Sequence, residues 1–349
     1  MKTFTEPLKE LKEFETLSAG VHDLRGIAQI SGCIDAAKPH IMYSVNNGSG
    51  NRIIVTFQEQ KAKELAEEYR FFDPNVAYYP AKDILFYQSD IRGNVLTAER
   101  INALKMMAEE RSCTIVTTFD GLMNPMPSPD QFISAVRKVA VGDVIDLEQF
   151  TRHLAELGYE KNYQVQTSGE FSVRGGIIDI FPLTEEVPYR IELWGDEVDS
   201  IRTFDPESQR SIEQVDEAVI YPATEMALTP EQIQDGTEAI EKDRRKYVKK
   251  LRDAMKTEEA YRMDSAVSEV LDGLREGFRV HGLGSYIRYF CKETVSFLDY
   301  FPVDELTIFL DEPLRLKEKA ETTEMEFRES MSHRLEGGYL LPGQTSFLY

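Results

Sequence analysis

The chain has 349 residues, 42% hydrophobic and 29% charged, a composition typical of a soluble globular protein long enough for two or three domains. Asp and Glu number 61 against 40 Lys and Arg, and the net charge of −21 argues against unaided binding to the phosphate backbone of nucleic acid. The three cysteines and five histidines are scattered, and neither a signal sequence nor a membrane-length apolar run occurs, so we expect a cytoplasmic protein with reduced thiols and no metal site.

The first third of the chain alternates between strand and helix patterns, which is typical of a parallel α/β sheet. A buried strand is predicted at residues 53–57, a short strand at 76–79 and another strand at 114–118. A helix rich in Glu, Lys, Ala and Leu is predicted at residues 58–70, and an amphipathic helix at 97–111. Near the other end, LTIFL at residues 306–310 predicts one more buried strand, and we expect it to join the same sheet, which would make the segment between them an insertion.

A turn-dense boundary at residues 124–130, NPMPSPD, begins a stretch with different texture. A helix is predicted at 147–157, followed by strands joined by short turns, the first of them at 171–181. This pattern predicts a small α+β domain. Two long charged helices then follow, and the first carries a basic run at 242–252. Interleaved acids favour a solvated helix face for that run, and contact with nucleic acid is the alternative.

The strand predicted at residues 189–194 carries the only tryptophan. If Ile191 faces the core, alternation places Arg190 and Trp194 together on the outward face. Trp and Arg are enriched at the energetic centres of protein interfaces, so this pair indicates a partner-binding surface. The alternative is that Trp194 caps a small local core and Arg190 pairs with Glu192 or a neighbouring acid.

A degenerate phosphate-binding loop is predicted at GCIDAAKP, residues 32–39. Gly32 and Lys38 match the first glycine and the lysine of the pattern G-x-x-x-x-G-K-[ST]. Ala37 replaces the second glycine, which lets backbone N–H groups approach phosphates. Pro39 replaces the Ser or Thr that holds Mg²⁺, and also removes an N–H donor. We therefore expect no nucleotide hydrolysis and no cofactor.

Two acids, Asp311 and Glu312, follow the strand predicted at 306–310. Their position resembles that of the metal-binding and catalytic carboxylates of helicase-type motors, although a polar turn at a strand end is the alternative. Together with the loop at Gly32, they indicate a motor-type ATP site whose phosphate loop has been disabled.

Longer strings connect the chain to a family: FSVRGGIIDIFPL, then PYRIELWGDEVDSIRTFDPESQR, then YPATE. They closely resemble the N-terminal module of the bacterial transcription-repair coupling factor, itself similar to excinuclease B. The resemblance implies an α/β fold: a degenerate helicase-like, P-loop NTPase-type parallel sheet with a small inserted α+β domain. The implied domains are 1a at residues 1–122, the inserted domain 2 at 123–215, and 1b at 216–349.

In this family, domain 2 docks excinuclease A, the damage-sensing component of the excinuclease. Matching the motifs position by position implies that Arg174, Arg190 and Trp194 are contact residues, and Lys161 is a weaker candidate beside Phe171, which we expect in the core. The resemblance further implies that RNA polymerase and double-stranded DNA bind other regions of a longer protein. A C-terminal domain of that protein would cover the docking surface at rest.

Excinuclease B itself is the alternative: an ATP- and DNA-binding helicase module. That protein needs an intact phosphate loop and a long DNA-clamping hairpin. Only 19 residues separate Tyr79 from Glu99, too few for such a hairpin. The sequence therefore favours a non-catalytic recruitment module. An active nucleotidase, a DNA-binding module and a structural protein without a partner are the competing classes.

Overall fold

The computed structural model describes residues 5–22, 27–45, 49–82, 93–109, 112–276, 280 and 282–345. The chain forms two compact units. The first comprises Met1–Lys82, Asn102–Met123 and Phe297–Glu324, and the second comprises Asp83–Ile101, Asn124–Ser296 and Met325–Tyr349.

Within the described residues, the strands are β1 (Asn51–Thr56), β2 (Val76–Tyr79), β3 (Thr114–Thr118), β4 (Arg137–Ala140), β5 (Glu160–Lys161), β6 (Glu170–Arg174), β7 (Ile177–Ile180), β8 (Tyr189–Trp194), β9 (Glu197–Phe204), β10 (Ser211–Val215), β11 (Glu217–Ile220) and β12 (Leu306–Leu310). The helices are α1 (Lys12–His22), α2 (Lys38–Val45), α3 (Glu59–Tyr69), α4 (Gly93–Glu109), α5 (Phe119–Leu122), α6 (Pro129–Ala135), α7 (Leu147–Glu156), α8 (Pro230–Asp253), α9 (Thr257–Glu276), α10 (Ile287–Phe290) and α11 (Pro313–Glu336).

The first unit contains a parallel sheet in the order β12-β1-β3-β2. Strand β1 is buried along its whole length, as expected for a β-branched strand in the middle of a parallel sheet. On one face, Ile54 and Val116 pack with Met42 of α2 and with Leu65 of α3. The predicted parallel sheet is confirmed, and so is the return of residues 306–310 to it, because β12 pairs with β1 in parallel.

The second unit contains a six-stranded sheet in the order β10-β9-β8-β7-β6-β5, which we call the inserted sheet. Its pairs are antiparallel, except that β5 runs parallel to β6. The single strand predicted over residues 171–181 is wrong. The chain reverses at Gly175 and Gly176 to form the β6–β7 hairpin, and Gly175 has a φ of +61°, which glycine adopts without steric strain.

The helical part of the second unit is built on α8 and α9. A capping box at Thr229 and Gln232 begins α8, and its buried residues, such as Ile240, pack against α9 residues such as Met263. In the basic run, Arg244 and Arg245 both pair with Glu241. These pairs are the intrahelical contacts that the solvated-face interpretation predicts.

The predicted domain bounds and the two units divide the chain differently. Residues 216–296, predicted as the start of domain 1b, lie in the same unit as the inserted sheet. Residues 83–92, which fall in the segment predicted to be too short for a DNA-clamping hairpin, lie outside the described residues. Among the described helices, none is both long and apolar enough to cross a bilayer.

Candidate functional site

The residues predicted as a degenerate nucleotide site come together in the first unit. Gly32 has a φ of +74°, and Lys38 begins α2 a short distance along the chain. The Lys38 Nζ lies 2.7 Å from Asp311 Oδ1, 3.0 Å from Glu312 Oε1 and 2.8 Å from Asp35 Oδ1. The lysine and the strand-end acids therefore meet, as expected for the remnant of a motor-type site.

Carboxylates occupy the donors of Lys38. An ammonium group has three N–H donors, and three carboxylates surround this one. Burial disfavours the charged amine, but the hydrogen bonds to Asp311, Asp35 and Glu312 outweigh this effect and raise the pKa of Lys38. Asp311 is buried and also accepts a hydrogen bond from Thr56 Oγ1 at 3.0 Å. Ala37 ends the single 3₁₀ turn before α2, and Pro39 occupies the second position of that helix.

A second cluster lies on the inserted sheet around Asp179, a β7 carboxylate with no exposed area. Arg190 Nε donates to its Oδ1 at 2.7 Å, and Arg190 Nη2 donates to its Oδ2 at 2.9 Å. Arg174 Nη2 donates to the same Oδ2 at 2.6 Å. One carboxylate thus binds two guanidinium groups, the charge-assisted geometry that Arg favours.

Arg190 has further partners inside the domain. Its Nη2 donates to Gln209 Oε1 at 3.1 Å, and its Nη1 donates to the Gln209 carbonyl oxygen at 3.3 Å. Its guanidinium carbon lies 4.3 Å from the centroid of the Phe204 ring. The hydrogen bond to Asp179 raises the pKa of Arg190. The alternative interpretation therefore holds for Arg190, which pairs with a neighbouring acid, although that acid is not Glu192.

Trp194 lies on the same face of the sheet as the two arginines. Alternation along β8 places Arg190 and Trp194 on one side of the sheet. Asp179 of β7 is the lateral partner of Arg190 and so points to that same side, where Arg174 donates a hydrogen bond to it. The Trp194 residue is 83% exposed, so it caps no local core. We call the surface that carries Arg174, Arg190 and Trp194 the Arg–Trp face.

An exposed valine lies on the same face of the sheet as this tryptophan. Trp194 pairs laterally with Glu197 of β9, and Glu197 forms an isolated bridge with Val144. Lateral partners point to the same face of a sheet, so Trp194, Glu197 and Val144 lie side by side on one face, with Glu197 in the middle. Val144 is 79% exposed. Trp194 and Val144 thus flank Glu197 as two exposed apolar side chains on one face of the sheet.

The strand pairing places Lys161 outside the Arg–Trp face. It is exposed, but it pairs laterally with Phe171, which is buried and points to the core side of the sheet. Phe171 is a core residue, as expected. Sequence reasoning missed Asp179, although an acid within the apolar run IIDIF was a usable signal. Val144 gave no such signal, because its position depends on a bridge to a distant strand.

The family profile described as the UvrB interaction domain matches residues 138–226. This range holds the whole inserted sheet, the Asp179 cluster, Trp194 and Val144. The chain carries a UvrB interaction domain. The family resemblance seen in the sequence, and with it the mixed α/β fold with a parallel sheet, is confirmed.

Along most of its length the chain is similar to two kinds of curated protein. It is 31% identical over 337 residues to the transcription-repair-coupling factor of Bacillus subtilis (strain 168), covering 96% of this chain and 28% of that protein. It is 30% identical over 358 residues to the transcription-repair-coupling factor of Staphylococcus aureus (strain MRSA252), covering 100% of this chain and 30% of that one. UvrABC system protein B of Thermosipho africanus (strain TCF52B) is 31% identical over 284 residues, or 79% of this chain and 42% of the relative. The chain thus spans less than a third of these coupling factors.

Proposed function

We propose that the UvrB interaction domain of this chain binds excinuclease A through the Arg–Trp face. In this role the chain is the recruitment module of a transcription-repair coupling factor in nucleotide excision repair. One observation carries the proposal: the only tryptophan of the chain is 83% exposed on the face that also carries Arg174. Exposed indole and guanidinium groups are the residue types that dominate interface energetics.

The chemistry of the face suggests how a partner would bind. Trp194 and Val144 offer apolar surface, and covering it with a partner would favour binding by about 25 cal/mol per Å². Arg174 would add a charge-assisted hydrogen bond to a carboxylate on the partner. Shape and charge together would give specificity that neither provides alone.

The module is proposed to act without nucleotide chemistry. Pro39 has no N–H for a phosphate, and the three donors of Lys38 are directed at carboxylates. The alternative, an ATP- and DNA-binding helicase module, has support in the 31% identity to UvrABC system protein B. Titration calorimetry with Mg·ATP separates the two: we expect no binding heat, whereas a helicase module would give a saturable isotherm.

The docking proposal is tested by measuring the affinity of the chain for purified excinuclease A. Trp194→Ala should weaken binding by about 30-fold or more, since truncation of a central anchor costs on the order of 2 kcal/mol. Tyr261→Ala is the matched control, because Tyr261 is an aromatic residue 75% exposed on α9, outside the UvrB interaction domain. Equal affinities for the two variants would refute the proposal.

A recruitment module should also have little affinity for DNA. The net charge of −21 gives duplex DNA no favourable field, so fluorescence anisotropy with labelled duplex at low salt should show no saturable binding. Saturable binding that weakens steeply with salt would favour the helicase-like alternative instead.

A further inference from the structure

The two arginines of the Arg–Trp face differ in how their donors are used. Arg190 directs Nε, Nη1 and Nη2 at Asp179 and Gln209, and its side chain is 15% exposed. Arg174 makes a single hydrogen bond, from Nη2 to Asp179, and its side chain is 38% exposed. Among the described residues, Arg174 has no other polar partner. Four of its five N–H donors are therefore available to a ligand.

We infer that Arg174 is the cation that contacts the partner, and that Asp179 and Arg190 are positioning residues for it. The inference rests on the proposed function and assigns different roles to two arginines that the family motif treats alike. Asp179 holds the guanidinium of Arg174 in place. Arg190 neutralises Asp179, so that the charge of Arg174 is not cancelled by the carboxylate that positions it.

The charges of the cluster support this division. Two guanidinium groups and one carboxylate leave a net charge of +1. The neighbouring acid Glu192 is occupied by Arg202, whose Nη2 donates to it at 3.0 Å, and by the hydroxyl of Ser200 at 3.1 Å. The uncompensated positive charge is thus centred on the more exposed guanidinium, that of Arg174.

Positioning by Asp179 also favours binding. A long, exposed arginine loses rotamer freedom when it is fixed at an interface, which weakens affinity by about 3- to 10-fold per side chain. The hydrogen bond to a carboxylate with no exposed area restrains Arg174 before the partner arrives. The matching group on the partner is a carboxylate, which accepts two parallel hydrogen bonds from a guanidinium, beside an apolar pocket for Trp194.

A charge-rescue experiment distinguishes positioning from contact. Arg190→Gln leaves Arg174 facing an uncompensated carboxylate, and should weaken binding of excinuclease A by about tenfold. Adding Asp179→Asn restores the net charge of +1, and should return the affinity to within about threefold of wild type. If Arg190 itself contacts the partner, the double variant stays as weak as Arg190→Gln, and the inference is overturned.

A second measurement uses the wild-type chain and so does not depend on the folding of variants. Phenylglyoxal modifies accessible guanidinium groups, and mass spectrometry identifies the modified residue. In the free chain, Arg174 should react and Arg190 should be protected, and excinuclease A should then protect Arg174. Equal reactivity of both arginines in the free chain overturns the inference. Absence of complex formation by the wild-type chain overturns the proposed function instead. The relative reactivity of Arg174 and Arg190 in the free chain tests their division of roles independently of complex formation.

Discussion

Removal of the Arg190 guanidinium should destabilise the inserted sheet much more than removal of the Arg174 guanidinium. Arg190→Ala deletes two hydrogen bonds to Asp179, two to Gln209 and the contact with the Phe204 ring. Deleting one partner of a buried ion pair costs about 3–5 kcal/mol. Asp179 keeps its bond to Arg174, so we expect a loss of about 2–3 kcal/mol.

Arg174→Ala should have a small effect on stability. Asp179 retains both hydrogen bonds to Arg190, and the Arg174 side chain is 38% exposed, where solvent screens its ion pair. A pair of this kind contributes about 0–1 kcal/mol. The two substitutions therefore separate stability from binding: Arg190→Ala affects the fold first, and Arg174→Ala affects the proposed docking.

Hydrogen exchange at the amides of β7 and β8 measures this difference locally, since the chain has two units and its unfolding need not be two-state. Exchange in these strands should accelerate strongly in Arg190→Ala and little in Arg174→Ala. Arg152→Ala, an exposed arginine on α7, serves as the control. Equal acceleration in the Arg174 and Arg190 variants would show that the cluster does not divide as described.

Three other predictions concern single residues. His153 accepts a hydrogen bond from Arg137 at 2.8 Å, and burial and that cation hold the pKa of His153 below the usual value of 6.5. NMR titration should therefore show a low pKa for His153 that rises in Arg137→Ala. The stability that this site contributes should be present above pH 6.5 and should fall as the pH drops through the folded-state pKa. Gly176→Ala should destabilise the β6–β7 hairpin by about 1–2 kcal/mol in denaturant titration, because a Cβ there would lie 3.0 Å from a carbonyl oxygen of β8. Val144→Ser should weaken binding of excinuclease A by about tenfold, whereas Ile212→Ser, at an exposed aliphatic residue on β10 of the inserted sheet, should not.

The strands of the parallel sheet could be predicted from the sequence because their signals are local. The bounds of β2, β3 and β12 coincide with those predicted. Each is a short run of apolar and β-branched residues, and β2 and β3 are buried along their whole length. The prediction that residues 306–310 are buried is wrong, because β12 is an edge strand on which Ile308 and Leu310 are exposed. The outward position of Trp194 was predictable for a similar reason, since alternation along a strand is fixed by backbone geometry.

The β6–β7 hairpin was missed although the alternation shifts by one residue across the turn: Phe171 and Val173 face the core before it, and Ile178 and Ile180 face the core after it. Phe171 and Ile178 are seven positions apart and could not both face the core from one strand, so this shift and the two glycines at 175 and 176 were the signals against a single strand. Pairing of Arg190 with an acid was one of the two interpretations that the sequence left open, but the identity of its partners could not be predicted. Asp179 and Gln209 lie elsewhere in the domain sequence, and only the tertiary structure shows that the Arg190 guanidinium donates its hydrogen bonds to them.

The most direct test of partner binding uses the fact that Trp194 is the only tryptophan of the chain. Replacing it biosynthetically with 5-hydroxytryptophan allows selective excitation in the presence of the tryptophans of another protein. Acrylamide should quench this fluorophore strongly in the free chain, where residue 194 is 83% exposed, and weakly once excinuclease A is bound. Undiminished quenching in a complex whose formation is verified by sedimentation would contradict the claim that this indole enters the partner.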